Sequence, residues 1–298
     1  MQISPLRLAA LTLTWATLWS GAFVAMKVAS DHAGAYTIVG IRCTIAGVIM
    51  IAAAWGARKA LTRRGLAGTA VVGLLNNAGY LGLMATAMPN LSAGMGAIVT
   101  ALTPLAVLVI SSLRGRALLI TQWIGCILGF LGVVGSAWTR LDSGETSWTG
   151  VGFSLGAVTC LVAGTVLTPK LVPPGSPWLS TGIQSLAAGV PSLAVALLFE
   201  SAPELTMRFL AAEIYLIFGA SVLAMTMWLT LIRQAGPDRA AVAHFLPPLI
   251  SIVLGAVLLG EDASPLALAM CVPVAIGVAL ATMRPRPRAA GAGPRRLD

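Results

Sequence analysis

Charge is what this sequence has least of. Only 10% of its 298 residues are Asp, Glu, Lys or Arg, against 57% hydrophobic before the 32 glycines are counted. Soluble domains carry about 25% charged residues, so the chain lacks the polar surface that one or two globular domains need in water. Disorder is excluded on the same ground, because disordered chains are polar and charge-rich. The four cysteines (Cys43, Cys126, Cys160, Cys271) have no CxxC spacing and sit in apolar stretches. They read as small packing residues, not as a redox motif, a metal site or a disulfide. There is no GxxxxGK[ST] loop, which excludes ATP-driven pumping by this chain alone, and no HExxH. A Ser/His pair built on His244 needs a nucleophile elbow, and none is expected. No catalytic residue, metal or cofactor is therefore predicted.

What the chain has in quantity is long apolar runs. A helical membrane crossing takes about 20 such residues. Ten segments qualify: 8–28, 35–55, 66–87, 93–112, 118–138, 149–169, 178–199, 210–231, 241–260 and 264–283. The breaks between them are short and carry turn or charge signals, such as Asp31-His32-Ala33-Gly34 and Gly236-Pro237-Asp238. The runs are too long, and too free of polar/apolar alternation, for β-barrel strands. The predicted fold class is an all-α integral membrane protein with ten transmembrane helices. The first run, Leu8 to Met26, exceeds the signal-peptide core of about 7–15 residues, so it is read as a span.

The scarce charges sort by face. With ten crossings, fifteen of the 19 Lys and Arg fall on the side of the termini, including Arg58, Lys59, Arg63 and Arg64. Asp31, Glu200, Glu204, Glu213 and Glu261 fall opposite. The positive-inside rule then places both termini in the cytoplasm. The net charge of +9 is a topology signal, and no nucleic-acid partner is expected. The tail 284–298 reads as a basic cytoplasmic segment near anionic lipid.

The chain also repeats itself at an offset of about 143. Ala25-Met26-Lys27-Val28 matches Thr168-Pro169-Lys170-Leu171, Gly40-Ile41-Arg42 matches Gly182-Ile183-Gln184, and Thr103-Pro104-Leu105 matches Pro247-Pro248-Leu249. Each half, 1–140 and 141–283, holds five spans. An odd number inverts the second half relative to the first. Inverted repeats are an architecture of secondary transporters, with the substrate site near mid-membrane between the halves.

Several stretches carry a family resemblance: Leu18-Trp19-Ser20-Gly21-Ala22-Phe23-Val24-Ala25-Met26-Lys27, Leu102-Thr103-Pro104-Leu105, Gln122-Trp123-Ile124-Gly125, and Leu246-Pro247-Pro248 through Leu258-Leu259-Gly260-Glu261. On these the chain resembles the EamA family of the drug/metabolite transporter superfamily, over residues 10–283. Gly115-Arg116 stands where that family usually has Gly-Glu after span four. The resemblance implies export of small metabolites, such as amino acids, or of toxic compounds without ATP, across a bacterial inner membrane.

Polar residues inside lipid are expensive unless they meet a partner or a cavity, so they are the site candidates. Asn77, Tyr80 and Met84 share one helical face, and the repeat maps them to Ser221, Ala224 and Trp228. These faces are expected to look at each other across a central cavity. The alternative for Asn76 and Asn77 is cross-linking of neighbouring helices. Trp19 lies mid-span. Thr100 and Thr103 precede Pro104, and His244 precedes Pro247 and Pro248. These prolines read as hinges beside the site, or as static kinks. His244 reads as a proton carrier or ligand, or as a neutral ring bonded to a carbonyl. Arg42 reads as contacting a substrate carboxylate, or as snorkelling or capping a helix. Lys27 is expected to snorkel. Glu213 is placed within a turn of the outer face, so tight coupling through a buried acid is expected to be missing. The predicted substrate-binding set is Trp19, Asn77, Tyr80, Thr103, Trp228, His244 and Arg42. The glycine pairs Gly125/Gly129 and Gly152/Gly156 are read as packing within one chain, giving a monomer or weak homodimer. The rival function is a lipid-linked flippase or a non-transporting membrane partner subunit.

Overall fold

The computed structural model describes residues 5–60, 62–115, 119–142, 146–235, 246–261 and 265–282, and among these it contains helices and no strands. Helix α1 spans Pro5–Ser30 and α2 spans Ala35–Ala53. Helix α3 (Arg63–Gly73) runs through a π-helical stretch, Leu74–Gly79, into α4 (Tyr80–Ala87). Helices α5 (Ala93–Thr100) and α6 (Thr103–Leu113) are separated by a break at Ala101–Leu102. Then come α7 (Ile120–Asp142), α8 (Trp148–Leu171) and α9 (Pro177–Phe199). Helix α10 (Met207–Ile214) passes through a second π-helical stretch, Tyr215–Leu223, into α11 (Ala224–Ala235). Helices α12 (Leu246–Leu259) and α13 (Pro265–Thr282) complete the bundle.

Among the described residues, six helical stretches are long and apolar enough to cross a membrane: Leu6–Ser30, Ala35–Ala53, Arg63–Asn90, Trp148–Leu171, Pro177–Phe199 and Met207–Trp228. Shorter apolar stretches, Ala93–Val107, Ile120–Gly132 and Leu246–Leu259, lie among them. Large apolar side chains stand on the outside: Leu197 is 86% exposed and Val257 74%. Such surface is stable against acyl chains and unstable against water.

Local chemistry sets where helices start and stop. The hydroxyls of Thr62, Ser92, Ser147, Ser176 and Thr206 accept from backbone N–H groups three residues on, closing the first turns of α3, α5, α8, α9 and α10. Two carboxylates do the same from a distance. Glu200 accepts from the Tyr36 and Thr37 N–H groups at 2.9 and 2.8 Å at the start of α2, and Glu261 accepts from the Ala93 N–H at 2.8 Å at the start of α5. Each anion meets the positive end of a helix dipole. Gly115 (φ 91°) and Gly260 (φ 70°) end α6 and α12 in the left-handed region that other residues avoid.

Packing follows a reciprocal pattern. Helix α2 lies along α9, α7 along α13, and α5 along α12. Helix α1 packs on α10, the following π stretch, α11 and α12, while α8 packs on α3, the first π stretch, α4, α5 and α6. Glycines set the closest approaches. A Cβ added at Gly47 would lie 2.9 Å from the Leu186 backbone nitrogen, and one at Gly277 would lie 2.6 Å from the Gly125 carbonyl oxygen and 2.7 Å from Gly129 Cα. The Gly125/Gly129 pair is thus used against α13 of the same chain. Gly152 has open space around it, and Gly156 meets only Leu83 at 3.5 Å.

Candidate functional site

Both π-helical stretches fall on the segments expected to face one another, and the repeat offset of about 143 places one over the other. A π turn often marks a functional position. In the second stretch Ser221 Oγ donates to the Leu216 carbonyl at 2.9 Å. The same hydroxyl oxygen accepts from Arg42 Nε at 2.9 Å. In the first stretch, Asn77 Nδ2 donates to Ser185 Oγ on α9 at 3.5 Å. By the repeat, Asn77 corresponds to Ser221 and Ser185 falls next to the mate of Arg42. Each π stretch is therefore tied to a long helix of the other half by a polar bond, charged in one case and neutral in the other.

Arg42 is 5% exposed, and its Nη1 has no hydrogen-bond partner. It lines an interior cavity of about 20 Å³ with Trp19, Ala22, Phe23, Met26, Tyr80, Leu81 and Met84. That volume holds about one water molecule. Tyr80, 4% exposed, places its hydroxyl 3.4 Å from Thr100 Oγ1. Three of the predicted residues, Trp19, Arg42 and Tyr80, thus meet at one cavity, with Met84 beside them as the shared face required.

The others are placed differently. Trp228 stacks on Trp15 with ring centroids 4.9 Å apart, and Trp15 stacks on Trp19 at 6.1 Å, so an aromatic ladder joins α1 to α11. Asn77 cross-links to α9, and Asn76 Oδ1 is buried against Gly164 of α8 without a partner. Thr103 Oγ1 donates to the Thr100 carbonyl at 2.7 Å. That is the carbonyl to which the residue at Pro104 would donate in a regular helix, so Thr103 makes good the bond that proline lacks. Pro104 lies in the first turn of α6, where a missing N–H is tolerated. Pro247 and Pro248 are buried in α12, and the residues before Leu246 lie outside the described ones. The Ser20 hydroxyl lies 3.2 Å from the Pro247 carbonyl oxygen and so joins α1 to α12. His244 lies outside the described residues.

Two sequence expectations are corrected. Lys27 does not snorkel outward. Its Nζ donates to the carbonyls of Met88 and Leu91 at 3.1 and 2.7 Å, where the end of a helix gathers unpaired carbonyls. Glu213 is not at the rim. Thr206 caps α10, so the helix starts at Met207 instead of 210, and the carboxyl is carried inward to 4% exposure with neither oxygen bonded. The Thr206 capping signal was present in the sequence. Nothing in the sequence signalled that α1 and α2 would cover that face of α10.

The pattern GxSxG does occur, at Gly152-Phe153-Ser154-Leu155-Gly156. It lies within α8, and Ser154 Oγ donates to the Val151 carbonyl at 2.8 Å. A nucleophile elbow needs a strand-to-helix turn with an exposed hydroxyl, so the match carries no chemistry.

A larger groove of about 750 Å³ runs between α1, α10 and α12. Its walls include Gly21, Val24, Val28, Ala212 and Leu254, and Asp31, His32 and Arg208 lie at one end. Gly21 leaves room for the Tyr215 ring, whose hydroxyl donates to the Leu18 carbonyl at 2.9 Å. Beyond this end, His32 Nδ1 lies 3.3 Å from Glu204 Oε2.

Long apolar helices, most of them packed on one another along their length, define the class: a multi-span helical membrane protein. The chain belongs to the EamA-like transporter family, which matches residues 6–138 and again 148–283. It is a membrane transporter of the drug/metabolite transporter superfamily. It is 25% identical over 257 residues to the uncharacterized inner membrane transporter YedA of Escherichia coli (strain K12), covering 83% of this chain and 81% of that one. It is 31% identical over 198 residues to protein PecM of Dickeya dadantii (strain 3937), covering 65% and 66%. It is 28% identical over 274 residues to the uncharacterized transporter YvbV of Bacillus subtilis (strain 168), covering 89% and 86%. One solved crystal structure superposes with a TM-score of 0.63 over 93% of this chain and 97% of that chain, at 21% identity, which shows the shared fold.

Proposed function

We propose that the protein exports small metabolites, amino-acid-like or amphipathic, by alternating access. Ten helices form two inverted five-helix repeats, 1–140 and 141–283. Both termini, with the tail 284–298, lie in the cytoplasm of a bacterium whose inner membrane holds the protein. The observation that carries this reading is the meeting of Trp19, Arg42 and Tyr80 at one interior cavity within a transporter-family bundle. The reciprocal packing of the halves, the two π stretches and the double family match support the repeat. At about 20 Å³ the cavity has no room for a metabolite, so one enters only when the helices around it move apart. The substrate-binding set is Trp19, Arg42, Asn77, Tyr80, Thr103, Trp228 and His244, with Pro104, Pro247 and Pro248 as hinges. The protein works as a monomer or weak homodimer, with lipid and a small molecule as its partners.

A thermal-shift screen of the purified protein against a metabolite panel, followed by flux of the strongest hit in liposomes, tests the reading. A hit transported by the wild type and not by Tyr80→Ala or Arg42→Ala sustains it. Equal flux in all three removes the cavity from the mechanism.

The groove between α1, α10 and α12 favours a second reading. Apolar walls ending at Asp31, His32 and Arg208 match an amphipathic molecule with a polar head, as a lipid-linked flippase would hold. Flux of a water-soluble metabolite and no lipid translocation would decide against it.

A further inference from the structure

The groove between α1, α10 and α12 opens sideways, toward lipid. Thr17 in the middle of α1, Ala211 on α10 and Leu258 on α12 all line it, and all three are exposed. At about 1.5 Å per residue, α1 from Thr17 to the turn at Asp31 extends about 21 Å. One leaflet with its headgroups is about 20–22 Å deep, half of the whole bilayer. The groove therefore reaches from mid-membrane to the headgroup layer on the side opposite the start of α1. Its wall is apolar over that depth, with Val24, Val28 and Leu254 along it. Tyr215 gives its hydroxyl to the Leu18 carbonyl, so this phenol asks nothing polar of an occupant. Such a trough, about 750 Å³ in volume, suits an acyl chain better than a water-soluble molecule.

The headgroup end is polarised. Asp31 follows the last turn of α1, where the helix dipole is negative, and Arg208 lies in the first turn of α10, where it is positive. Both side chains are exposed, and among the described residues neither makes an ion pair within 4.0 Å. The His32 carbonyl accepts from the Glu204 N–H at 2.9 Å, and His32 Nδ1 lies 3.3 Å from Glu204 Oε2. These contacts tie the turn carrying Asp31 to the segment that leads into Arg208. We propose that the groove seats one phosphatidylethanolamine molecule as a resident lipid, its acyl chain along α1, its phosphate at Arg208 and its ammonium at Asp31. A guanidinium and a phosphate make strong charge-assisted bonds, and a primary ammonium brings three donors to the carboxylate. Phosphatidylglycerol would leave Asp31 without a cation, and the choline headgroup has no N–H to donate. The other half lacks the pair: the repeat mates are Gly175 and Arg64, a cation without its acid. The zwitterionic seat belongs to one leaflet.

The seat rests on the chain's place in a membrane and not on metabolite transport, and the lipid in it stays where it is. The test uses the full chain, delipidated in detergent and given phosphatidylethanolamine, phosphatidylglycerol or phosphatidylcholine with the same acyl chains. Native mass spectrometry should show one phosphatidylethanolamine retained per chain. That lipid should raise the melting temperature about 5 °C more than either of the others. Asp31→Asn and Arg208→Gln should each weaken its retention about tenfold. Asp31→Asn should leave retention of phosphatidylglycerol unchanged. Ala211→Trp, which fills the groove without touching a charge, should weaken retention of all three. Equal retention of the three lipids by the wild type, or retention of phosphatidylethanolamine that survives both charge substitutions, overturns the seat. Translocation of labelled phosphatidylethanolamine across liposomes, abolished by Asp31→Asn, overturns the resident role and sustains the flippase reading. An intact seat without flux of any metabolite overturns the transport reading alone.

Discussion

The bond from Arg42 to Ser221 and the bond from Asn77 to Ser185 each join the two halves at positions that the repeat matches, and they differ in kind. The first is a charge-assisted contact of 2.9 Å; the second is a neutral contact of 3.5 Å between an amide and a hydroxyl. The backbone device is the same, a π turn held by a long neighbouring helix. Only the Arg42 contact carries charge. A scaffold repeated for its geometry has kept that geometry and given the two copies different chemistry, since side chains at matching positions can diverge while the helix packing remains.

Breaking the charged contact should cost most. Arg42→Ala is expected to lower metabolite flux in liposomes about a hundredfold, about 2.7 kcal/mol in the barrier. Ser185→Ala, at the neutral contact, should stay within about threefold. Equal losses would make the halves equivalent.

The glycine contacts extend the comparison to packing. Gly47→Leu, driven into the α9 backbone, should destabilise the detergent-solubilised protein by about 3 kcal/mol, read as a fall in melting temperature. Gly152→Ala, in open space, should stay within about 0.5 kcal/mol of wild type. A large effect at Gly152 would point to a partner chain on that face.

The carboxylate caps rank next. Glu200→Ala removes three hydrogen bonds from the start of α2, including one at 2.8 Å from the Thr37 hydroxyl, and should cost about 1–2 kcal/mol. Smallest is Thr103→Val, which leaves the Thr100 carbonyl bare at about 1 kcal/mol. Adding Pro104→Ala should recover most of it by restoring a backbone donor. If it does not, the break at Ala101–Leu102 has another cause.

The bundle was legible in the sequence because each helix needs a long apolar run, and such runs stand out where charge is scarce. A helix covers each segment read as a span, within the described residues. The break before α6 was legible from Pro104. Trp19, Tyr80 and Arg42 were legible as candidates because polar and aromatic groups in lipid are few. Helical spacing fixes which residues share a face, not what that face meets, so the stacking of Trp228 on Trp15 was not legible. Lys27 and Glu213 were misread for one reason. Distance along a helix was taken for depth, although the neighbours packed around a side chain decide whether it is buried.

By itself the sequence determined that this protein lives in lipid and that it is helical. Those properties are sums over composition and local periodicity, and no long-range contact can reverse them. The tertiary structure alone decided that Glu213 is buried, that Ser221 holds the Arg42 guanidinium, and that the two acids Glu200 and Glu261 cap helices more than a hundred residues away. These depend on which helices become neighbours, and that is set by packing across the whole chain.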